Sequence, residues 1–177
     1  MVTSQDYFSL LGLEPKLTLD GAALQRRFYE LSRQYHPDRF ATKPAQLRRE
    51  AEEKTALLND AFRTLKDPVR RAEYVLGQHR LESNSTAAPP ELLEEVFELN
   101  MALDELKTGD ESVKPQLIEA RQKFTSMLAA MDSQLSGLFA EWDGSGIPEA
   151  LQQIRQALNR RKYIHNLVNT VSQALGG

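Results

Sequence analysis

Apolar residues recur at helical spacing along almost the whole of this chain, and that period excludes most folds. Leu24, Phe28, Leu31 and Tyr35 fall at i, i+4, i+7 and i+11, which places them on one side of a helix with 3.6 residues per turn. Leu47, Ala51, Leu58, Phe62 and Leu65 form a second stripe over about 45–66, similar in length to the first. An antiparallel pair buries both. Short helices over 5–11 and 68–76 would cover the open side with Tyr7, Leu10, Leu11, Tyr74 and Leu76. Asp20 stands where the first long helix needs an N-cap, and Asp67-Pro68 reads as cap plus first-turn proline.

Three further stripes follow. The first is Leu92, Val96, Leu99, Leu103 and Leu106. The second is Leu117, Phe124, Leu128, Met131, Leu135, Leu138 and Trp142. The third is Ile147, Leu151, Ile154, Leu158 and Val168, with GSGIP at 144–148 breaking the chain before it. Three amphipathic helices with short links make a three-helix bundle. HRLESNSTAAPPE, at 79–91, can neither sustain a helix nor fill a core. The expected organisation is all-α: a first domain over 1–78, a linker over 79–90 and a second domain over 91–177.

A hydrophobic fraction of 41% and a charged fraction of 27% belong to a soluble globular protein. No apolar run reaches the roughly 18 residues of a membrane span, and MVTSQDYFSLLGL lacks the basic start and cleavage site of a signal peptide. We therefore expect a cytoplasmic protein without a membrane partner. Cysteine is absent, so disulfides, thiolate nucleophiles, zinc fingers and cysteine-ligated clusters are excluded. Any metal chemistry belongs to a partner. Residues 1–78 hold 13 Lys/Arg against 11 Asp/Glu, and the rest hold 9 against 14. Neither half has the basic excess of a phosphate-backbone binder, so nucleic acid is not expected as a partner.

Two features exceed what packing requires. In RQYHPDRF, at 33–40, Pro37 disfavours helix at His36 and has no N–H of its own, so the first long helix must stop near Tyr35. One reading is a helix-ending loop in which Asp38 joins a local turn and His36 is merely polar. Catalysis fits poorly, because His36 and Asp38 have neither a cysteine nor a serine in a nucleophile elbow beside them. Metal ligation fails because His79 and His165 lie in other segments. The remaining reading is recognition. Arg26 and Arg33 are seven apart, hence on one side of the helix, with Arg27 adjacent and Arg39 after the tripeptide. Alone they are a solvated basic face; with the tripeptide they form a polar patch suited to an acidic partner surface.

The second feature is in PPELLEEVFELNMALDEL. The core stripe already uses Leu92, Val96, Leu99 and Leu103, yet Leu93, Phe97 and Met101 form another at i, i+4 and i+8. It is either a widened buried face or an exposed apolar patch rimmed by Glu94, Glu95 and Glu98, the pattern of a protein interface.

DYFSLLGL, the helix with QRRFYELSRQYHPDRF, the later LLNDAFRTLKDPVRRAEY and their spacing resemble the J domain of DnaJ-type co-chaperones over about residues 4–76. The resemblance implies a helical hairpin with flanking short helices. It also implies that His36, Pro37 and Asp38, supported by Arg26, Arg27 and Arg33, dock on an ATP-driven heat-shock chaperone and trigger its ATP hydrolysis. No Gly/Phe-rich stretch follows, and zinc-binding repeats are impossible without cysteine. With RAEYVLGQH, a short linker and an acidic helical half, the whole chain resembles the HscB-type co-chaperones of bacterial iron-sulfur cluster assembly. The implied partners are an HscA/DnaK-type chaperone and the IscU-type scaffold that the C-terminal three-helix domain delivers to it. By the same resemblance, Leu93 and Phe97 match scaffold-binding apolar positions. Tyr163, in RRKYIHNL and off the Leu151/Ile154/Leu158 stripe, matches an aromatic of the last helix. Met101 completes the stripe, at a position where some family members carry a polar residue. No catalytic residue and no resident metal or cofactor is implied. The alternative is a J-domain adaptor for an unrelated client.

Overall fold

The structure is a computed structural model that describes residues 6–82, 85 and 87–176. It divides into two compact units, Met1–Arg80 with Asp143–Ser145, and Leu81–Trp142 with Gly146–Gly177. Among the described residues every regular element is helical.

In the first unit, α1 (Tyr7–Leu11) is capped by Asp6, whose carboxylate accepts the Ser9 N–H at 3.0 Å, and ends at Gly12 in the left-handed region at φ 65°. The expected start of this helix at Gln5 lies outside the described residues. Helix α2 (Gly21–Gln34) is capped by Asp20, which accepts from the N–H groups of Ala22 and Ala23. After the one-turn α3 (Pro37–Phe40) come α4 (Ala45–Lys66) and α5 (Pro68–Gln78), the latter capped by Asp67 through the Arg70 N–H at 2.9 Å. Phe28 stacks on Phe62 at 4.2 Å, and the Tyr35 carbonyl accepts from Thr55 Oγ1 at 3.1 Å. Numbers that rise along α2 meet numbers that fall along α4, so the pair is antiparallel. Phe8, Leu11, Leu17, Leu24, Leu58, Leu65 and Leu76 are the large side chains fully buried in this unit. Each is worth roughly 1.5–3 kcal/mol relative to exposure.

The two stripes differ in length, contrary to expectation. Helix α2 has 14 residues and α4 has 22, so the first turns of α4 overhang the helix they were expected to cover. Leu47 is accordingly 41% exposed rather than core. Tyr7, expected as a simple cover, stacks on Tyr74 at 4.6 Å. The Tyr74 hydroxyl accepts the Tyr7 N–H and donates to Asp6, which also accepts from Gln78.

In the second unit a 3-10 turn (Pro90–Leu92) leads into α6 (Leu93–Lys107), and another (Glu111–Val113) leads into α7 (Lys114–Ser145). Gly146, at φ 63°, ends α7, and Pro148 starts α8 (Pro148–Ala174). The break therefore falls inside GSGIP, after Ser145. Leu92, Val96, Leu99, Leu103, Leu117, Phe124, Met131, Ile164 and Val171 form one buried cluster. Ile147, expected on the last stripe, caps α8 and is 48% exposed, because it precedes the first helical turn. Phe139, Ile164 and Val171 are buried though no expected stripe included them. An α-helix drifts about 20° per heptad from a strict 3.5 repeat, and in helices this long the drift carries new residues inward. Asp132 on α7 accepts from Arg161 Nε on α8 at 2.6 Å, and Arg160 on α8 pairs with Glu91 just ahead of α6.

Candidate functional site

The His36–Pro37–Asp38 stretch is a built turn that opens the one-turn α3. Helix α2 ends at its C-cap Tyr35, and His36 takes φ −58° and ψ 133°, the extended conformation that a following proline imposes. Pro37 then occupies the first helical position of α3, where its missing N–H costs nothing. The Asp38 backbone N–H donates to His36 Nδ1 at 3.3 Å, and the Arg39 N–H donates to the His36 carbonyl at 2.9 Å. The imidazole, not the Asp38 carboxylate, caps the turn. The Asp38 side chain is 92% exposed and that of His36 57%, with 3.6 Å between Nδ1 and Oδ2, a distance at which the two pair when the ring is charged.

The three arginines of α2 separate into two roles. Arg26 and Arg33 are exposed, and neither forms an ion pair among the described residues. Arg27 is half-buried: its Nε donates to the Leu11 carbonyl at 3.0 Å and its Nη1 to Glu30 Oε2 at 2.9 Å. Its guanidinium lies against Gly12, where a Cβ would come within 2.8 Å of Nη2. Arg27 is therefore committed to holding the end of α1 on α2. Its expected place on the basic docking face is thus combined with a structural task, since Nε is turned toward Leu11 while the pair with Glu30 lies at the surface. Tyr29 stands on the same exposed side of α2 as Arg26 and Arg33. It is 54% exposed and lines a shallow depression with Ser32, Arg33 and His36. The positions 26, 29, 33 and 36 follow helical spacing, a signal that is present but hidden by the adjacent Phe28, which belongs to the core stripe.

On α6 the leftover stripe faces solvent. Leu93, Phe97 and Met101 are 57%, 66% and 51% exposed, while Leu92, Val96, Leu99, Ala102 and Leu103 are buried behind them. The widened buried face does not form. Of the expected acidic rim, Glu94 and Glu98 are exposed, but Glu95 turns toward α7 and pairs with Lys123. Tyr163 differs from the three: it is half-buried, packs against the core of its unit and lines a small pocket with Lys162, Asn166, Leu167, Thr170 and Ser85. Arg160, one turn earlier on α8, pairs with Glu91, which sets this stretch of α8 beside the Leu93 end of α6. Among the described residues no three His, Asp or Glu side chains gather as metal ligands, and no helix is long and apolar enough to cross a membrane.

Comparison with known proteins bears on both features. Residues 6–74 match the DnaJ domain family, and residues 88–172 match the family described as the HSCB C-terminal oligomerisation domain. A co-chaperone protein HscB homolog of Vibrio vulnificus is 34% identical over 172 residues, spanning 94% of each chain. One of Vibrio cholerae is 36% identical over 171 residues, spanning 95% of each. The solved structure of the chaperone HscB from Vibrio cholerae superposes with a TM-score of 0.69 at 32% identity, over 97% of this chain and 98% of that one. Human co-chaperone HscB, at 23% identity, shares the fold with a TM-score of 0.71, over 99% of this chain and 85% of that one. With a DnaJ domain in its first half and the HscB C-terminal domain in its second, the chain belongs to the HscB family of J-domain co-chaperones.

Proposed function

We propose that this co-chaperone is an adaptor with two faces, acting in the cytoplasm and without catalytic activity of its own. The turn at His36, Pro37 and Asp38, with Arg26, Arg33 and Tyr29, docks on an HscA/DnaK-type chaperone and stimulates its ATPase. Leu93, Phe97 and Met101, with Tyr163 at the edge, hold an IscU-type scaffold, whose iron-sulfur cluster is cargo for transfer to an acceptor. The observation that carries the reading is the exposed Asp38 carboxylate on a turn capped from within. A packing residue has no need of such a turn, whereas a docking residue needs its neighbours held in one geometry.

The apolar face has the right strength for a client that must be released. Burying three side chains is worth roughly 1.5–3 kcal/mol each, set against an association cost of at least about 4 kcal/mol. Alone they give weak binding, and an affinity near micromolar, about −8 kcal/mol, needs rim contacts such as those of Glu94 and Glu98 to supply the remainder. The test is the steady-state ATPase rate of a DnaK-type chaperone with this protein, with and without an IscU-type scaffold. Asp38→Asn should abolish stimulation, and Leu93→Ala/Phe97→Ala should remove only the increment due to scaffold. If the double alanine leaves that increment intact, α6 is not the client surface.

The family description "oligomerisation" favours one other use of the α6 stripe, contact with a second copy of the chain. Sedimentation equilibrium separates the two, because self-association that Phe97→Ala abolishes would make the stripe a dimer face.

A further inference from the structure

His36 serves as a cap and as a docking residue, and the two tasks fall to different ring nitrogens. Nδ1 accepts the Asp38 N–H at 3.3 Å. Only an unprotonated nitrogen can accept, so a neutral ring in this geometry carries its proton on Nε2. We propose that the docking element works only with His36 in this neutral Nε2–H form, and that protonation disables it by drawing the Asp38 carboxylate onto the ring. The proposal rests on the docking role given above and specifies the chemistry of its partner. The ring offers the partner one N–H donor, so the partner places a hydrogen-bond acceptor there. Beside the exposed Arg26 and Arg33, the acceptor best suited is a carboxylate of an acidic surface.

The disabling step follows from the same atoms. An imidazolium has a donor at each nitrogen and no acceptor, so the cap on Asp38 N–H is lost. The new Nδ1–H faces Asp38 Oδ2, already 3.6 Å away. A carboxylate that was free for the partner becomes half of an internal ion pair, and the turn loses the bond that set its geometry. The titratable and charged groups around the ring are Tyr29 and Arg33 from α2, and Asp38 and Arg39 from α3, with Arg39 Nη1 donating to the Arg33 carbonyl at 3.4 Å. Helix α4 packs on α3 but contributes no residue to the depression beside the ring.

The test uses the full chain with its histidine rings labelled with nitrogen-15, the His36 signal being identified by its loss in His36→Gln. At about pH 8 the ring should show a bare Nδ1 and a protonated Nε2; a proton on Nδ1 overturns the proposal. The protein is then titrated to about pH 6, alone and saturated with a DnaK-type chaperone. A partner that binds only the neutral ring must lower the pH midpoint of the His36 signal in the complex. Stimulation, taken over the chaperone's own rate at each pH, should fall about tenfold per pH unit below that midpoint. A midpoint unchanged or raised in the complex overturns the proposal while leaving docking intact. No binding and no stimulation at any pH would instead remove the docking role, and the switch with it.

Discussion

The turn at His36 and the stripe on α6 are both exposed, but they depend on structure in different ways. The turn is polar and small, and its value lies in one conformation: a proline that sets the backbone, an imidazole that caps it and a carboxylate left over. The stripe is apolar and spread over two helical turns, and its value lies in area. Polar recognition fails when one group is missing or turned, because charged hydrogen bonds are directional and costly to leave unpaired. Apolar recognition weakens in proportion to the surface removed. One surface should therefore behave as all-or-none and the other as graded.

The largest expected effect is on the turn. Asp38→Asn keeps the shape and removes the charge, and should cost about 2–5 kcal/mol of docking free energy, measured as loss of ATPase stimulation and of chaperone binding by calorimetry. A graded loss of a few tenths of a kcal/mol would erase the contrast. On α6, Leu93→Ala/Phe97→Ala should cost about 2–4 kcal/mol of scaffold affinity, and the single alanines and Met101→Ala should each take a share. Because these side chains are exposed, the unfolding midpoint should move by no more than about 0.5 kcal/mol. A large loss of stability would mean the stripe is core.

Next in size is the division among the arginines of α2. Arg27→Ala removes the bonds to Leu11 and Glu30 and should destabilise the first unit by about 1–2 kcal/mol in urea, with docking intact where the protein remains folded. Arg26→Ala should do the reverse, weakening docking with no change in unfolding. If Arg27→Ala spares stability and abolishes stimulation, the basic face is as the spacing alone implied.

The smallest effect is on acid stability. Burial raises the Asp6 carboxyl, but hydrogen bonds from the Ser9 N–H and from the Gln78, Tyr74 and Ser9 side chains outweigh it and hold the group below the usual range. A lowered folded value means that the contribution is complete above the unfolded aspartate range, about 3.9, and is lost as pH falls through the folded value. Asp6→Asn should narrow the difference between urea midpoints at about pH 7 and about pH 3. Tyr74, pushed up to about 12, chiefly by burial, should show no titration in ultraviolet difference spectra until more alkaline pH than an ordinary tyrosine. Both measurements concern only the contact of α1 with α5, and should leave the two surfaces unchanged.

Period and punctuation carried most of the fold. Asp20, Asp67-Pro68 and Pro37 act within one turn of chain, on neighbours only a few residues away, so their effects were legible as soon as the residues were named. The tripeptide itself was equally plain, since no core needs it. The second stripe on α6 was legible as surplus. Its exposure was not, because periodicity counts faces without saying which are covered.

Burial and pairing depended on residues far apart in the chain. Arg27 rather than Arg26 is engaged because the end of α1 comes to lie over that side of α2, at Leu11 and Gly12. Glu95 leaves the acidic rim because Lys123 of α7 stands beside it. Leu47 is uncovered because α2 stops short of it, and Tyr163 is half-buried because α8 settles against the core of its unit. Backbone stereochemistry is a property of adjacent residues, which a sequence places in order. Burial and ion pairing are properties of neighbours in space, and those exist only once the helices have packed.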